Sequence, residues 1–447
     1  MMSPHQNQTV TIDIFRRRTD EWSRAILRGG SASLLLLLTI AVITMAGLFA
    51  TVHRQSEESI KRNVPPRYRE LMTFWKERGY IKHGGLWVRS PADPENWAPP
   101  GPQEPVRYVY RSPMTYLLAP YVAERLSWAV RGHYSESLMR VMNQAVVGIA
   151  AALLGLLAMR LARHIGATGL HALMLGIAAQ MVYQTFPVNL WNVWEIYPTT
   201  VVACFALGFA LTTASILSRE RESPWLLRSR ALCVFGMFAI DYPAASLMLP
   251  AYLITTTALG FPLRRQHVLK TLILPAAAAF ALLLGQIAII KLNYPAIQFI
   301  GSPPLFRTGF DGSRLYYFDH WDLFAGRRSM FAFLKWPSLF GAGCAACGLL
   351  VALYHRIPEL RLPVAIIAIT LGLYVPFAFV FSQAAVIHPY EFDSYLIIPV
   401  CLSVFAAAPA VLERVTGNKG IFALVFFAAG FCYVMVQLRA YALQYPL

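Results

Sequence analysis

The stretch ALCVFGMFAIDYPAASLMLPAYLITTTAL, residues Ala231 to Leu259, decides how the chain is folded. A bilayer core is crossed by about 20 apolar residues, so this stretch is too long for one comfortable pass. Asp241-Tyr242-Pro243 interrupts it. Proline breaks helices, and a charge at mid-membrane costs ~2.5–3.5 kcal/mol on the insertion scale. Two short helices with Asp241 at the turn between them avoid that cost.

The rest of the chain has the same character. Of its 447 residues, 57% are hydrophobic and only 14% are charged. Soluble globular chains carry about 25% charged residues. The deficit excludes an ordinary cytosolic enzyme, a disordered regulator and a disulfide-stapled secreted scaffold. Apolar runs recur at Leu34–Val52, Val141–Met159, Leu170–Val188, Tyr197–Leu217, Thr271–Ile290, Trp336–Tyr354, Pro363–Phe381, Tyr395–Leu412 and Ile421–Leu438. With the stretch at 231–259 counted as two helices, the expectation is an all-α integral membrane bundle of about eleven transmembrane helices. Residues 1–33 form a basic cytoplasmic head, and residues 34–447 form a single transmembrane domain. The head is longer than that of a secretory signal and lacks a clear small-residue cleavage site, so the first helix is expected to stay uncleaved.

Charge supports this count. Eleven passes put the head, Arg160–Gly169, Ser218–Arg230, Gly260–Lys270, His355–Leu362 and Glu413–Gly420 on one side. These segments hold 18 Lys/Arg and 7 Asp/Glu. The positive-inside rule assigns that side to the cytoplasm. A single pass at 231–259 would invert every later loop. The formal charge of +16 is therefore explained by topology. No compact basic domain exists, so nucleic acid is not an expected partner. All six cysteines lie in apolar runs, which argues against a disulfide framework. Cys344 and Cys347 sit among small residues, GAGCAACG, where close helix packing is the preferred reading.

The opposite, extracytoplasmic side carries 16 of the 23 acids. A first loop, 53–140, contains two stretches expected to form interfacial helices, Arg67–Arg78 and Pro113–Val130, around the segment GLWVRSPADPENWAPPGPQEP. A second loop covers 291–335. The outer candidates are Glu57, Glu58, Asp93, Glu195, Asp241, Asp311, Asp319, His320, Asp322, His388, Glu391 and Asp393. Carboxylates at such a surface serve as general bases or hold a divalent cation, magnesium or manganese. Solvated loop charge and helix capping are the plainer accounts of any one of them. The same side also carries arginines that the positive-inside rule would not place there, including Arg67 and Arg111. Arginine binds phosphate bidentately. No Walker A loop, dinucleotide glycine motif, G-x-S-x-G or H-E-x-x-H occurs.

The order of these features resembles the GT-C superfamily of membrane glycosyltransferases, in its protein-mannosyltransferase-like and aminoarabinose-transferase-like branch. RYRELMTFWKERGYI (Arg67–Ile81) is similar to that family's first juxtamembrane helix. YRSPMTYLLAPYVAERLSWAVRG (Tyr110–Gly132) is similar to its K-P-P-L-x-Y-x-L segment and following helix, and SESLMRVMNQAVVGIAAALLGLLAMRLARHIGAT (Ser135–Thr168) to its second pass. The resemblance implies transfer of a sugar from a polyprenyl-phosphate carrier to an envelope lipid, glycan or protein on the outer face of a bacterial inner membrane. It puts Arg111 in the place of the family's phosphate-binding lysine, with Arg67, Tyr110 and His388 as further donor-binding candidates. Where the family has an Asp-Glu pair, this chain reads Val64-Pro65-Pro66. The nearest acids are Glu57 and Glu58, which rank first as catalytic base, followed by Asp241. Asp93, Glu195, Glu391 and Asp393 are secondary candidates.

Two other functions stay open at this point. A non-catalytic GT-C-like partner or scaffold in envelope assembly fits the missing acid pair. A transporter or flippase would need ionisable residues in mid-helix along a path. Almost none remain once the chain turns at Asp241.

Overall fold

A computed structural model of the protein describes residues 36–40 and 42, 88–89, 97–98, 126, 129–132, 136–186, 189, 198–218, 223–293, 336–380, 389–418 and 420–444. Apart from one strand pair and a few turn residues, the described residues are helical. They comprise α1 (Glu136–Ile165), α2 (Gly169–Thr185), α3 (Pro198–Leu217), α4 (Pro224–Ala258), α5 (Arg265–Val268), α6 (Leu274–Asn293), α7 (Trp336–Leu353), α8 (Arg361–Val380), α9 (Pro389–Leu402), α10 (Ala408–Thr416) and α11 (Ile421–Gln444). Wider π turns, Leu269–Ile273 and Ser403–Ala407, join α5 to α6 and α9 to α10. Among the described residues, five stretches are long and apolar enough to cross a membrane: Gln144–Ile165, Thr200–Leu217, Arg265–Gly285, Tyr395–Thr416 and Ile421–Arg439. In lipid, a helix satisfies every backbone polar group within itself, which is why apolar sequence of this length folds this way.

The all-α expectation needs one addition. Within the first loop, β1 (Val88–Arg89) pairs antiparallel with β2 (Trp97–Ala98), with Val88 opposite Ala98 and Arg89 opposite Trp97. The prolines between and after the strands limit this ribbon to two residues a side. Of the expected interfacial helix 113–130, the structure describes only residues 126, 129 and 130, all helical.

Local signals start and stop the helices. Thr168 accepts a hydrogen bond from the His171 amide at α2, and Ser223 does the same for Leu226 at α4, where Pro224 takes the first helical position. Gly417 ends α10 with φ +71°. Pro399 interrupts the α9 ladder, and Ser403 donates to the carbonyls of Pro399 (2.7 Å) and Val400 (3.1 Å) just beyond it.

Packing separates a centre from a periphery. The Tyr395–Thr416 span is 94% buried and forms the middle of the bundle; Arg265–Gly285 and Ile421–Arg439 are each 22% buried and lie at its edge. Tyr183, Phe186, Phe209 and Tyr395 are the largest aromatics of the core. Helices α1 and α2 approach closely at Gly155 and Gly176; a methyl group on Gly176 would stand 2.7 Å from the Gly155 carbonyl oxygen. Of the glycines in GAGCAACG, Gly343 makes such a contact, against Val400, while Gly341 and Gly348 have open space beside them. Ala346 is buried and Cys347 packs against the core, so one stripe of this run, 343/346/347, faces the bundle and Cys344 lies on the exposed side.

The helical stretch α4 doubles back on itself. The Arg230 guanidinium donates to the Tyr252 hydroxyl at 3.3 Å, across a separation of 22 residues. In a straight helix those Cα atoms would lie ~33 Å apart, beyond the reach of the two side chains. The midpoint of the pair is Asp241. The first arm packs on α3, with Gly236 against Phe205 and Gly208 against Cys233. The second arm packs on α8, where Gly372 meets Ala251, Leu247 and Met248. The turn expected from Asp241-Tyr242-Pro243 is therefore present, although the residues around it remain helical.

Candidate functional site

Contacts between helix ends sort the turns onto one face of the bundle. Arg414 donates to the Ile165 carbonyl (3.1 Å) and pairs with Glu359 (2.8 Å). Arg361 donates to the Leu259 carbonyl, and Arg160 to Ser215. Glu413 lies 3.6 Å from His171 Nδ1. The turns after α1, α3, α4, α7 and α10 thus share one end, which is the set of short basic segments expected to lie together. One assignment changes. Arg230 belongs to the second turn of α4, not to a loop, and is 1% exposed. The Ser223-Pro224 pair is the signal that would have placed it there, since a capping serine followed by proline marks a helix start.

The opposite end holds the acids. Each arm of the hairpin, from Pro224 or Ala258 to Asp241, rises ~26 Å, and α8 rises alongside it from Arg361. Asp241 therefore reaches the level where α8 ends and α9 begins. Glu391 and Asp393 stand in the first turn of α9. The backbone thus brings Asp241, Glu391 and Asp393 to one end, away from the basic face. Glu57, Glu58, Arg67, Asp93, Tyr110, Arg111, Glu195 and His388 lie outside the described residues, as do Asp311, Asp319, His320 and Asp322. The β1–β2 pair brackets Asp93 in sequence.

Beneath that end the bundle interior is polar. Gln180, Gln184, Thr185 and Asn189 are fully buried. Gln180 donates to the Leu37 carbonyl (2.9 Å), and Asn189 donates to the Tyr183 carbonyl (2.7 Å) at the end of α2. These neutral groups tie a first-span segment and a helix terminus to α2. They are not ionisable, so they do not make the charged path that a proton or ion transporter needs.

The basic end has its own electrostatics. Arg230 donates through Nε (2.9 Å) and Nη2 (2.5 Å) to the Thr271 hydroxyl, and its guanidinium lies 5.6 Å from the Tyr252 ring centroid. The Thr271 hydroxyl in turn donates a hydrogen bond to the His267 carbonyl (2.7 Å). All these partners are neutral. Glu413, nearly buried, accepts from the Ala423 amide (2.9 Å) and so caps α11 from another helix. Arg414 beside Glu359 holds that carboxyl below its ordinary range. Sequence reasoning did not single out Arg230, His171 or Glu413, because their partners are remote in the chain.

Among the described residues, no group of three or more His, Cys, Asp or Glu could hold a metal. All six cysteines are free. No family model, no curated protein and no solved structure matches this chain.

Proposed function

We propose that this protein is a membrane glycosyltransferase that takes a sugar from a polyprenyl-phosphate carrier and passes it to an envelope lipid, glycan or protein. The observation that carries the reading is the polarity of the bundle. Asp241, Glu391 and Asp393 share one end, while the short basic turns gather at the other. On this reading the chain makes eleven passes with a GT-C-like fold. The basic end faces the cytoplasm by the positive-inside rule, and the acid-bearing end and the C-terminus face outward, where a lipid-linked donor is available.

The chemistry needs a base, a phosphate site and a leaving group. A carboxylate, with Glu58 and Glu57 ranked before Asp241, removes the acceptor hydroxyl proton. The hydroxyl oxygen then attacks the anomeric carbon as the bond to the carrier phosphate breaks. Arg111, with Arg67, Tyr110 and His388, holds that phosphate and offsets the charge that develops on it. A magnesium or manganese ion would suit hard carboxylate oxygen donors, and it would screen the carrier phosphate. Transfer that survives chelation would remove the ion from the scheme.

The test is sugar transfer in proteoliposomes from a synthetic prenyl-phosphate hexose. Glu57→Gln and Glu58→Gln, singly and together, and Asp241→Asn are compared at equal expression and thermal stability. Loss of the base is expected to slow transfer by about 10²–10⁴-fold. Full activity in the double Glu variant sinks the ranking, and full activity in all of them sinks the mechanism. One observation favours a second reading, a non-catalytic GT-C-like partner. Val64-Pro65-Pro66 stands where the resembling family keeps its acid pair. Donor binding without transfer to any acceptor supports that reading.

A further inference from the structure

Among the described residues, Arg230 is a buried cation with no carboxylate beside it. Its partners, Thr271 and Tyr252, are neutral, and it is 1% exposed. Between residues 223 and 293 the only acid is Asp241, at the far end of the hairpin, whereas Arg228, Arg230, Arg264, Arg265 and Lys270 all belong to this end. The neighbouring segment 219–222, Arg-Glu-Arg-Glu, adds no net charge and lies outside the described residues. The adjoining corner is different, because there the acids Glu359 and Glu413 face Arg414 and His171.

Buried charge is normally paired, because removing an ion from water costs several kcal/mol. Here the cationic excess continues outward. Arg228, Arg265 and Lys270 are exposed and lie within two residues of the Arg230–Thr271 bond or at the start of α5. Between them stand the exposed apolar side chains of Trp225, Leu232, Leu269 and Ile273. Basic groups interleaved with lipid-facing apolar ones suit a molecule with an anionic head and acyl tails. A free phosphate would leave the apolar half unused. Tryptophan at such a level is also typical of the membrane interface.

We propose that this corner, where the first arm of the hairpin meets the Leu269–Ile273 turn, binds the headgroup of an anionic phospholipid from the adjoining leaflet. Lys270, Arg228 and Arg265 contact the phosphate. Arg230 is covered and does not touch it, but its uncompensated charge draws the headgroup to this corner rather than to the neighbouring one. The acyl chains lie along Leu232, Leu269 and Ile273. The inference needs only the bilayer as solvent and is independent of the glycosyltransferase reading.

Trp225 is a built-in reporter. The full chain is placed in phosphatidylcholine nanodiscs containing either phosphatidylglycerol or phosphatidylcholine with brominated acyl chains, at equal mole fraction. Bromine quenches tryptophan on contact, and the Trp225 component is the difference between the native protein and Trp225→Phe. Brominated phosphatidylglycerol is expected to quench that component more strongly. The preference is expected to fall about fivefold for each of Lys270→Gln, Arg265→Gln and Arg228→Gln, and to weaken in ~1 M salt, where the Debye length is about 3 Å. Equal quenching by the two lipids in the native protein, which requires no variant to fold, overturns the proposal. So does a preference that the three glutamine variants leave unchanged. Loss of the preference when inorganic phosphate replaces chloride at constant ionic strength would make this a soluble-anion site and would also overturn it.

Discussion

Arg230 and Tyr252 are hydrogen-bonded to each other although they stand 22 residues apart in one helical stretch. That single contact requires the stretch to fold back, and it sets both ends of α4 on the basic face. Every later helix takes its direction from it. In a bilayer, a hairpin of this kind would keep the aspartate at its tip away from mid-membrane, where an unpaired charge is most costly.

Coupling between the two residues is measurable. A double-mutant cycle with Arg230→Met and Tyr252→Phe is expected to give an interaction energy of about 1–3 kcal/mol in thermal unfolding of the purified protein. A straight helix predicts none. Arg230→Met alone is expected to cost little, because it removes an unbalanced buried cation while keeping its volume. Arg230→Ala is expected to cost about 2–5 kcal/mol through the cavity it leaves.

The second arm is registered by Gly372 against Ala251. Gly372→Ala forces two methyl groups into one place and is expected to destabilise by about 1–3 kcal/mol. Adding Ala251→Gly to the same chain restores most of that loss. A double variant no better than the single one would place the arm elsewhere.

Glu413 caps α11 from α10. Glu413→Ala leaves the Ala423 amide without its acceptor and is expected to cost about 1–2 kcal/mol. Glu413→Gln keeps an oxygen for that amide and is expected to lose less. Hydrogen exchange at 421–424 should quicken in the alanine variant while the centre of α11 stays protected.

Glu359 gives a pH signature. Arg414 lowers its pKa in the folded chain, so its contribution is fully present above the unfolded carboxyl value, about 4.3. It is lost as pH falls through the lower folded value. Both side chains are more than a third exposed, so the effect is expected to stay below about 1 kcal/mol. Glu359→Gln should flatten the acid limb of the unfolding profile and leave stability at pH ~7 nearly unchanged. Arg414→Ala should cost more, because it also releases the Ile165 carbonyl.

The proposed contact of Arg111 with the donor phosphate can be tested by separating charge from shape. Arg111→Ala is expected to weaken binding of a prenyl-phosphate hexose, with Arg111→Lys intermediate, since lysine keeps the charge but lacks the planar fork. Equal binding by all three proteins would move the phosphate site elsewhere.

Local chemistry alone determined much of this protein. Apolar runs of bilayer length, the prolines and capping residues at their ends and the basic bias of alternate loops made the helices legible. They also made the turn at Asp241-Tyr242-Pro243 legible, because each depends on residues close together in sequence. The candidate site was legible only as a list of acids and arginines expected to share one side. The backbone gathers Asp241, Glu391 and Asp393 at one end. Only the tertiary structure showed that Arg230 is buried between Thr271 and Tyr252, that Glu413 serves a different helix, and which stripe of GAGCAACG faces the bundle. Those facts depend on which helix faces lie against each other. Apolar helices in an apolar solvent announce that only weakly, because lipid and a neighbouring helix are nearly equivalent partners until small residues and hydrogen bonds choose between them.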